Sequence, residues 1–273
     1  MITQLKIFIL LILCLLYSGS SFTQNNEIER EKEMKGSETD LWLSSYNIFR
    51  ISEKFFWDAQ LHYRRKEYGD TKFVGRMAQL YNRHALGYKL TPYINTSIGG
   101  VLRLDYAPEP GSDLYEPFVY EPRLWYEFLF VMPQANYQIT HRLRFEHRWS
   151  RSARKGAEWM FRNRYRYQFS MKIPLGNNRL KPGTFYAKPD IEIILQSGKN
   201  VVDSPIDDLR LYGSLVYIAN PRVSYSAGLM YTTGQDLNDG SLYKQRWVMR
   251  FSAYVSMDFR KKSKQLPSIN FTD

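Results

Sequence analysis

The chain has 273 residues, a formal net charge of +11 at pH 7, an aromatic fraction of 16% and one cysteine. That cysteine, Cys14, lies in an apolar N-terminal run, so disulfide frameworks and thiolate metal sites are excluded from the rest of the chain. A basic balance raises nucleic acid as a partner, but the N-terminus argues against it, and anionic lipid or lipopolysaccharide phosphate becomes the better counter-charge.

Lys6 is the sole charge before Glu27. Ile7 to Leu16 is almost unbroken apolar sequence, and small residues follow at Ser18, Gly19, Ser20, Ser21 and Thr23. This order of charge, apolar core and small residues is that of a secretory signal, with removal expected just before Gln24. The run is shorter than the roughly 20 residues a spanning helix needs. Cys14 sits inside it, after Leu13, and makes a poor lipid acceptor. Residues 24–39 read as a polar linker of mixed charge, with no chemistry assigned to them.

From Asp40 the pattern changes to period two. Phe55, Trp57, Ala59, Leu61 and Tyr63 alternate with Phe56, Asp58, Gln60, His62 and Arg64. Leu143, Phe145, His147 and Trp149 alternate with Arg142, Arg144, Glu146 and Arg148, and Trp247, Met249 and Phe251 with Arg246, Arg250 and Ser252. Such runs are two-faced strands, because a helix built from them would carry arginine all round. A mean hydropathy of −0.47 is what a barrel wall averages to when its strands alternate lipid-facing and lumen-facing residues.

Strands are predicted at roughly 40–51, 55–65, 73–90, 93–105, 117–131, 137–150, 159–173, 185–197, 208–218, 222–232 and 243–259. Tight turns at Ser52-Glu53-Lys54, Thr91-Pro92, Met132 to Asn136 and Asn220-Pro221 alternate with longer polar loops at 66–72, 106–116, 151–158, 198–208 and 233–242. Aromatics flank the short turns, at Phe49 and Phe55, Tyr88 and Tyr93, Phe130 and Tyr137, Tyr217 and Tyr225. The whole predicts an all-β, antiparallel transmembrane barrel over 40–260 in a bacterial outer membrane, with the short turns and the C-terminus in the periplasm and a tail at 261–273. Eleven strands is an awkward count, since single-chain bacterial barrels have even numbers. The expectation is therefore about 10–12 strands: 10 if the first segment is not in the wall, 12 if one strand is hidden.

If the apolar parity faces lipid, Glu121, Arg123, Glu127, Arg142, Arg144, Glu146, Arg148, Arg162, Arg164, Arg166, Glu192, Arg210, Arg246 and Arg250 face the lumen as a charge ladder. A barrel of this size has a narrow interior. Ion pairs would then brace the wall and fill it; alternatively, an arginine lining would make a narrow pore for small anionic solutes. Arg151, Arg154 and Lys155, with Arg148 at the adjoining strand end, are candidate contacts to lipopolysaccharide phosphates. A lipid-modifying enzyme is a third reading, with His147 near Ser150 and Ser152 as its only suggestive grouping and His141 six residues away on the same parity. Asp236-Leu237-Asn238-Asp239-Gly240 opens like a calcium loop, but its twelfth position is Trp247, so a plain hairpin is expected. No cofactor or metal is predicted.

The charged runs also carry a family likeness. Glu121-Pro122-Arg123-Leu124-Trp125, the run from Arg142 to Trp149, Arg162-Asn163-Arg164-Tyr165-Arg166-Tyr167, Asp190-Ile191-Glu192 and Arg210-Leu211-Tyr212 follow in this order. They resemble the DUF2490 family, uncharacterised proteins mainly of Bacteroidetes, over roughly 40–260. The resemblance implies an exported, porin-like outer-membrane barrel and brings no activity with it.

Overall fold

The computed structural model describes residues 33–176, 180–199, 201, 204–236 and 241–260. The expected signal segment, residues 24–32 of the linker, most of the calcium-like loop and the 261–273 tail lie outside the described residues.

Every described element is a strand or a connection between strands. A two-residue strand, β1 (Glu33–Met34), precedes β2 (Glu38–Arg50), β3 (Phe55–Tyr68), β4 (Thr71–Thr91), β5 (Ile94–Tyr106) and β6 (Phe118–Pro133). Then come β7 (Gln138–Ser150), β8 (Met160–Pro174), β9 (Phe185–Ser197), β10 (Ile206–Asn220), β11 (Val223–Gln235) and β12 (Leu242–Asp258). From β2 onward each strand pairs antiparallel with the next, and β12 returns to β2. The result is a closed barrel of eleven strands, β2 to β12, with no open sheet edge.

The count of eleven lies within the expected 10–12, and the first segment is a full wall strand. One expectation is corrected: the wall is not antiparallel throughout, since β12 and β2 run parallel from Arg246↔Glu38 to Asp258↔Arg50. The odd count is the cause. Direction alternates from strand to strand, so the first and last of an odd set point the same way and can close only as a parallel pair. β1 prolongs this seam, with Glu33 opposite Leu242 and Met34 opposite Tyr243. A further consequence is that the wall begins at one rim, at Glu38, and ends at the other, at Asp258.

The turn rim is capped locally. Ser52 Oγ accepts from the backbone N–H of Phe55 at 2.9 Å, Thr91 Oγ1 from that of Tyr93 at 3.1 Å, and Asn220 Oδ1 from that of Arg222 at 2.8 Å. Short polar side chains satisfy amides that the ladders leave open. The connection from Pro174 to Phe185 is the exception on this rim and is not a tight turn. At the opposite, loop rim, the expected loop at 66–72 is replaced by continued pairing of β3 with β4, with Tyr68 opposite Thr71. The turn is only Gly69-Asp70, with Gly69 at φ 55°. Glycine supplies the positive φ that a two-residue hairpin favours.

Outside, the apolar parity is exposed along every wall strand, for example Leu61, Ile98, Leu124, Ile191, Leu211 and Phe251. Aromatic pairs border both rims. Phe49 packs on Trp57 and Phe259, Phe55 on Tyr88, and Phe185 on Tyr217 at the turn rim. Tyr120–Trp159, Trp149–Phe161 and Tyr231–Trp247 lie toward the loop rim. Inside, the polar parity is buried, and the lumen contains little but side chains.

Candidate functional site: a charged lumen with a residual chamber

Because successive side chains on a strand alternate faces, β6, β7 and β8 present Glu121, Arg123, Glu127, Arg142, Arg144, Glu146, Arg148, Arg162, Arg164 and Arg166 to the interior. The neighbouring β9 and β10 add Glu192, Asp208 and Arg210. Glu146 is at the centre, with a fully buried side chain. Arg166 Nη1 reaches its carboxylate at 2.8 Å and Arg123 Nη1 at 3.1 Å, while Arg83 and Arg144 stand at 4.0 Å. Arg166 also donates to Glu192 at 2.8 Å, Arg142 Nη2 to Glu192 at 2.7 Å, and Arg144 Nε to Glu127 at 2.6 Å. Arg142 stands 3.7 Å from Glu127. These contacts form a closed ring, Glu146–Arg166–Glu192–Arg142–Glu127–Arg144 and back to Glu146.

Arg123 ties a second cluster to the ring, because its Nε donates to Glu121. Glu121 also takes both Nε and Nη2 of Arg148, at 2.9 and 3.1 Å, and Arg103 stands 3.4 Å away. Arg103 is shared with Asp105 at 2.6 Å. Arg210 bridges Glu192 at 3.2 Å and Asp208 at 2.7 Å, and Arg164 pairs with Asp207. The register explains why the carboxylates are needed. Arg144 lies directly opposite Arg166, and Arg148 opposite both Arg123 and Arg162. Like charges across a ladder destabilise it unless a counter-charge stands between them.

The charge ladder therefore comes together, with three of its members outside the network; Arg162 donates to Ser150 at 3.4 Å. Arg246 stands 3.8 Å from Asp40, on the seam strands. Arg250 donates to the Tyr46 hydroxyl at 2.6 Å. Sequence reasoning missed the aromatic component of the lumen. Trp125 is buried beneath Arg144, whose Cζ lies 4.4 Å from its ring centre. Trp42, Tyr46, Tyr81, Tyr212 and Tyr254 face inward with Arg64, Arg83 and Lys188. The signal was present: Trp125 shares the parity of Glu121, Arg123 and Glu127, and Tyr254 that of Arg250 and Ser252.

The interior is not completely filled. A chamber of about 180 Å³ remains, lined from Arg123 and Arg164 to Ile48, Leu129 and Thr140 beside the turn rim. Glu121, Arg103, Arg148 and Arg162 lie outside its lining, toward the loops.

The loop-rim candidates divide. Arg148 is a lumen residue held by Glu121, not a loop residue. Arg151 forks onto Glu116, with Nη1 and Nη2 each 2.6 Å from a carboxylate oxygen. This fork, at the water-exposed rim, holds the Glu116 carboxyl below its ordinary value. Backbone bonds from Glu116 to Ala153 at 2.8 Å and from Lys155 to Leu114 at 3.0 Å clamp the 107–117 and 151–159 loops together. Arg154 and Lys155 are exposed on that clamp. The histidine–serine grouping does not form. His147 is on the outer face, with Nδ1 2.7 Å from Asn163 Oδ1, whereas Ser150 is buried inside and accepts from Arg162 at 3.4 Å. Three residues along a strand reverse the face. His141 Nδ1 is 2.9 Å from the Tyr167 hydroxyl, and Ser152 Oγ accepts from its own loop, from the Arg154 amide at 3.2 Å.

A family model described as a protein of unknown function (DUF2490) matches residues 39–242, from β2 to the first residue of β12. No curated protein matches the chain.

Proposed function

The chain belongs to the DUF2490 family, whose function is unknown, and we propose its role from the lumen itself: an exported outer-membrane barrel, braced shut by buried ion pairs, that serves as a wall protein of the bacterial envelope. The observation that carries this reading is the closed Glu146–Glu192–Glu127 ring with its three arginines, Arg166, Arg142 and Arg144, which spans the interior from β6 to β9. An arginine–carboxylate lattice with forked pairs at Glu192 and Glu121 resists displacement by a passing solute, because each broken pair leaves a buried charge uncompensated.

The membrane location is supported by the exposed apolar parity and the two aromatic borders. Wall strands of 13 to 21 residues exceed the roughly 9–11 residues a tilted spanning strand requires. In that setting we propose that Arg154 and Lys155, exposed on the loop clamp, contact lipopolysaccharide phosphates, with Arg151 holding the clamp together. A narrow anion-preferring pore is the second reading, favoured by the excess of arginine around the residual chamber.

Single-channel recording in a planar bilayer separates the two. The braced barrel gives a folded, heat-modifiable protein without steady openings; anion-selective currents that change in Arg144→Gln or Arg164→Gln would overturn it in favour of the pore. Location and orientation are tested on whole cells with single cysteines in the otherwise cysteine-free mature chain. Ser152→Cys, at the loop rim, is expected to react with an impermeant maleimide, and Ser52→Cys, at the turn rim, only after permeabilisation. Since the odd wall starts at the loop rim, Ser37→Cys should label with Ser152→Cys. Labelling of none of them on intact cells would remove the outer-membrane reading.

A further inference from the structure

Three cations of the residual chamber form no ion pair. Arg64 on β3, Lys188 on β9 and Arg250 on β12 line it, and among the described residues none of them has a carboxylate within the 4.0 Å of an ion pair. Four carboxylates also line the chamber, and each is engaged elsewhere: Asp58 accepts from Gln60 at 2.8 Å, Asp190 from Gln168 at 3.2 Å, Glu127 from Arg144 at 2.6 Å and Glu192 from Arg166 at 2.9 Å. Arg64 and Arg250 lie instead against ring faces. Arg64 Cζ is 3.4 Å from the Trp42 ring centre and 4.4 Å from that of Tyr81; Arg250 Cζ is 4.6 Å from Tyr212. Lys188 Nζ stands 5.3 Å over Tyr254, which stacks on Tyr46 at 5.1 Å, and Tyr46 is the residue that receives Arg250. The three cations thus belong to one continuous aromatic surface.

A guanidinium lying on a ring is stabilised through its face, while its N–H donors point outward from its edge. Those edges are underused. Arg64 Nε, Arg250 Nε, Arg83 Nε and the Tyr212 hydroxyl are buried without a hydrogen-bond partner among the described residues. Tyr212 itself is 6% exposed. Unpaired buried donors on cations are costly, and several of them around one cavity define what is missing from it: an acceptor carrying negative charge.

We propose that this chamber is a binding site for a small oxyanion of the phosphate or sulfate class, held by Arg64, Arg250 and Lys188, with the Tyr46 and Tyr212 hydroxyls as further donors. Charge-assisted hydrogen bonds from arginine edges suit a tetrahedral oxyanion. Size agrees with this class. At about 30 Å³ per water in the liquid, 180 Å³ accommodates such an ion with part of its hydration. It falls below the ~300 Å³ at which pockets for larger organic ligands begin. The lining reaches Ile48, Leu129 and Thr140 toward the turn rim, while the Glu121 cluster lies on the loop side, so the ion enters from the turn rim and stops. The inference rests on the braced lumen of the proposed function, but not on the membrane location.

The test is calorimetric titration of the mature protein in detergent with inorganic phosphate, at constant ionic strength set by chloride. One phosphate per chain is expected. Arg250→Gln/Lys188→Gln should weaken it at least tenfold, and Tyr212→Phe, which removes one hydroxyl, a few-fold. Lys244→Gln/Arg246→Gln removes the same charge near the loop rim and should leave binding unchanged; heat-modifiability on a gel verifies folding of each variant. No saturable phosphate binding by the wild-type protein, or binding equally weakened by the loop-rim pair, would overturn the site. A silent bilayer recording with no phosphate binding removes the site alone; steady currents remove the braced lumen, whatever the titration gives.

Discussion

The lumen wall formed by β6 to β9 and the wall formed by β12, β2 and β3 use the same cation in opposite ways. On the first, Arg123, Arg142, Arg144 and Arg166 each lie between two glutamates. On the second, Arg64 and Arg250 have aromatic faces, tyrosine hydroxyls and the Gln79 amide oxygen but no carboxylate, around an apolar cluster of Trp42, Tyr212, Met230 and Val248. The difference teaches what a buried arginine needs. With carboxylates on both sides it becomes a strut and its charge is neutralised. Without a carboxylate in reach its charge is tolerated but left uncompensated. One side of the barrel is therefore built to stay closed, and the other retains the capacity to bind.

The largest effect expected from this contrast is at Glu146. Glu146→Gln keeps the shape but removes the charge that Arg123 and Arg166 share and that Arg83 and Arg144 face. Removing one partner of a buried pair costs about 3–5 kcal/mol, so the variant should lose heat-modifiability at a much lower temperature than the wild-type protein. Arg250→Gln deletes a half-buried charge on the other wall. It takes away one hydrogen bond to Tyr46 and relieves an uncompensated cation, so its change should stay within about 1 kcal/mol in either direction. Equal losses in the two variants would erase the distinction between the walls.

Much of this was legible in the residues. A period of two fixes which side chains share a face, so every member of the Arg–Glu ladder was placed inside from sequence, and all eleven wall strands were located. What escaped was non-local. Nothing in Glu38 to Arg50 or in Leu242 to Asp258 encodes which strand the first one meets, and the parallel seam follows only from counting the whole wall. The 66–72 segment looked like a loop because it is polar, yet at the rim polar residues pair as well as apolar ones, and Gly69 supplies the turn. The inward aromatics were hidden by their chemistry. Tyr and Trp on a barrel suggest the lipid border, and only their parity with Arg250 or Glu121 shows that Tyr254 and Trp125 face the other way. The unpaired state of Arg64 and Lys188 was beyond reach, since it depends on carboxylates of distant strands not arriving.

The same Arg–Glu geometry occurs a third time, in water, and there the smallest effect is expected. Arg151 forks onto Glu116 as closely as Arg144 approaches Glu127 in the lumen, but both residues belong to the loop rim, where solvent screens the interaction and exposed pairs contribute little. The hydrogen bonds from Arg151 hold the Glu116 carboxyl below its ordinary value. The sign follows from linkage: a carboxyl with a depressed folded value adds stability that is complete above its unfolded value of about 4.3, and that is lost as pH falls through the lower, folded one. The clamp between the 107–117 and 151–159 loops should therefore be indifferent to pH from 7 down to about 5, and loosen only in more acid solution. Hydrogen exchange at the Glu116 and Lys155 amides, which carry the two bonds between the loops, reads this directly once intrinsic rates are corrected for. Protection that falls between pH 7 and 5 would mean that the fork does not hold the clamp. A Glu116→Gln variant as costly as Glu146→Gln would mean that burial is not what separates a lumen strut from a surface pair.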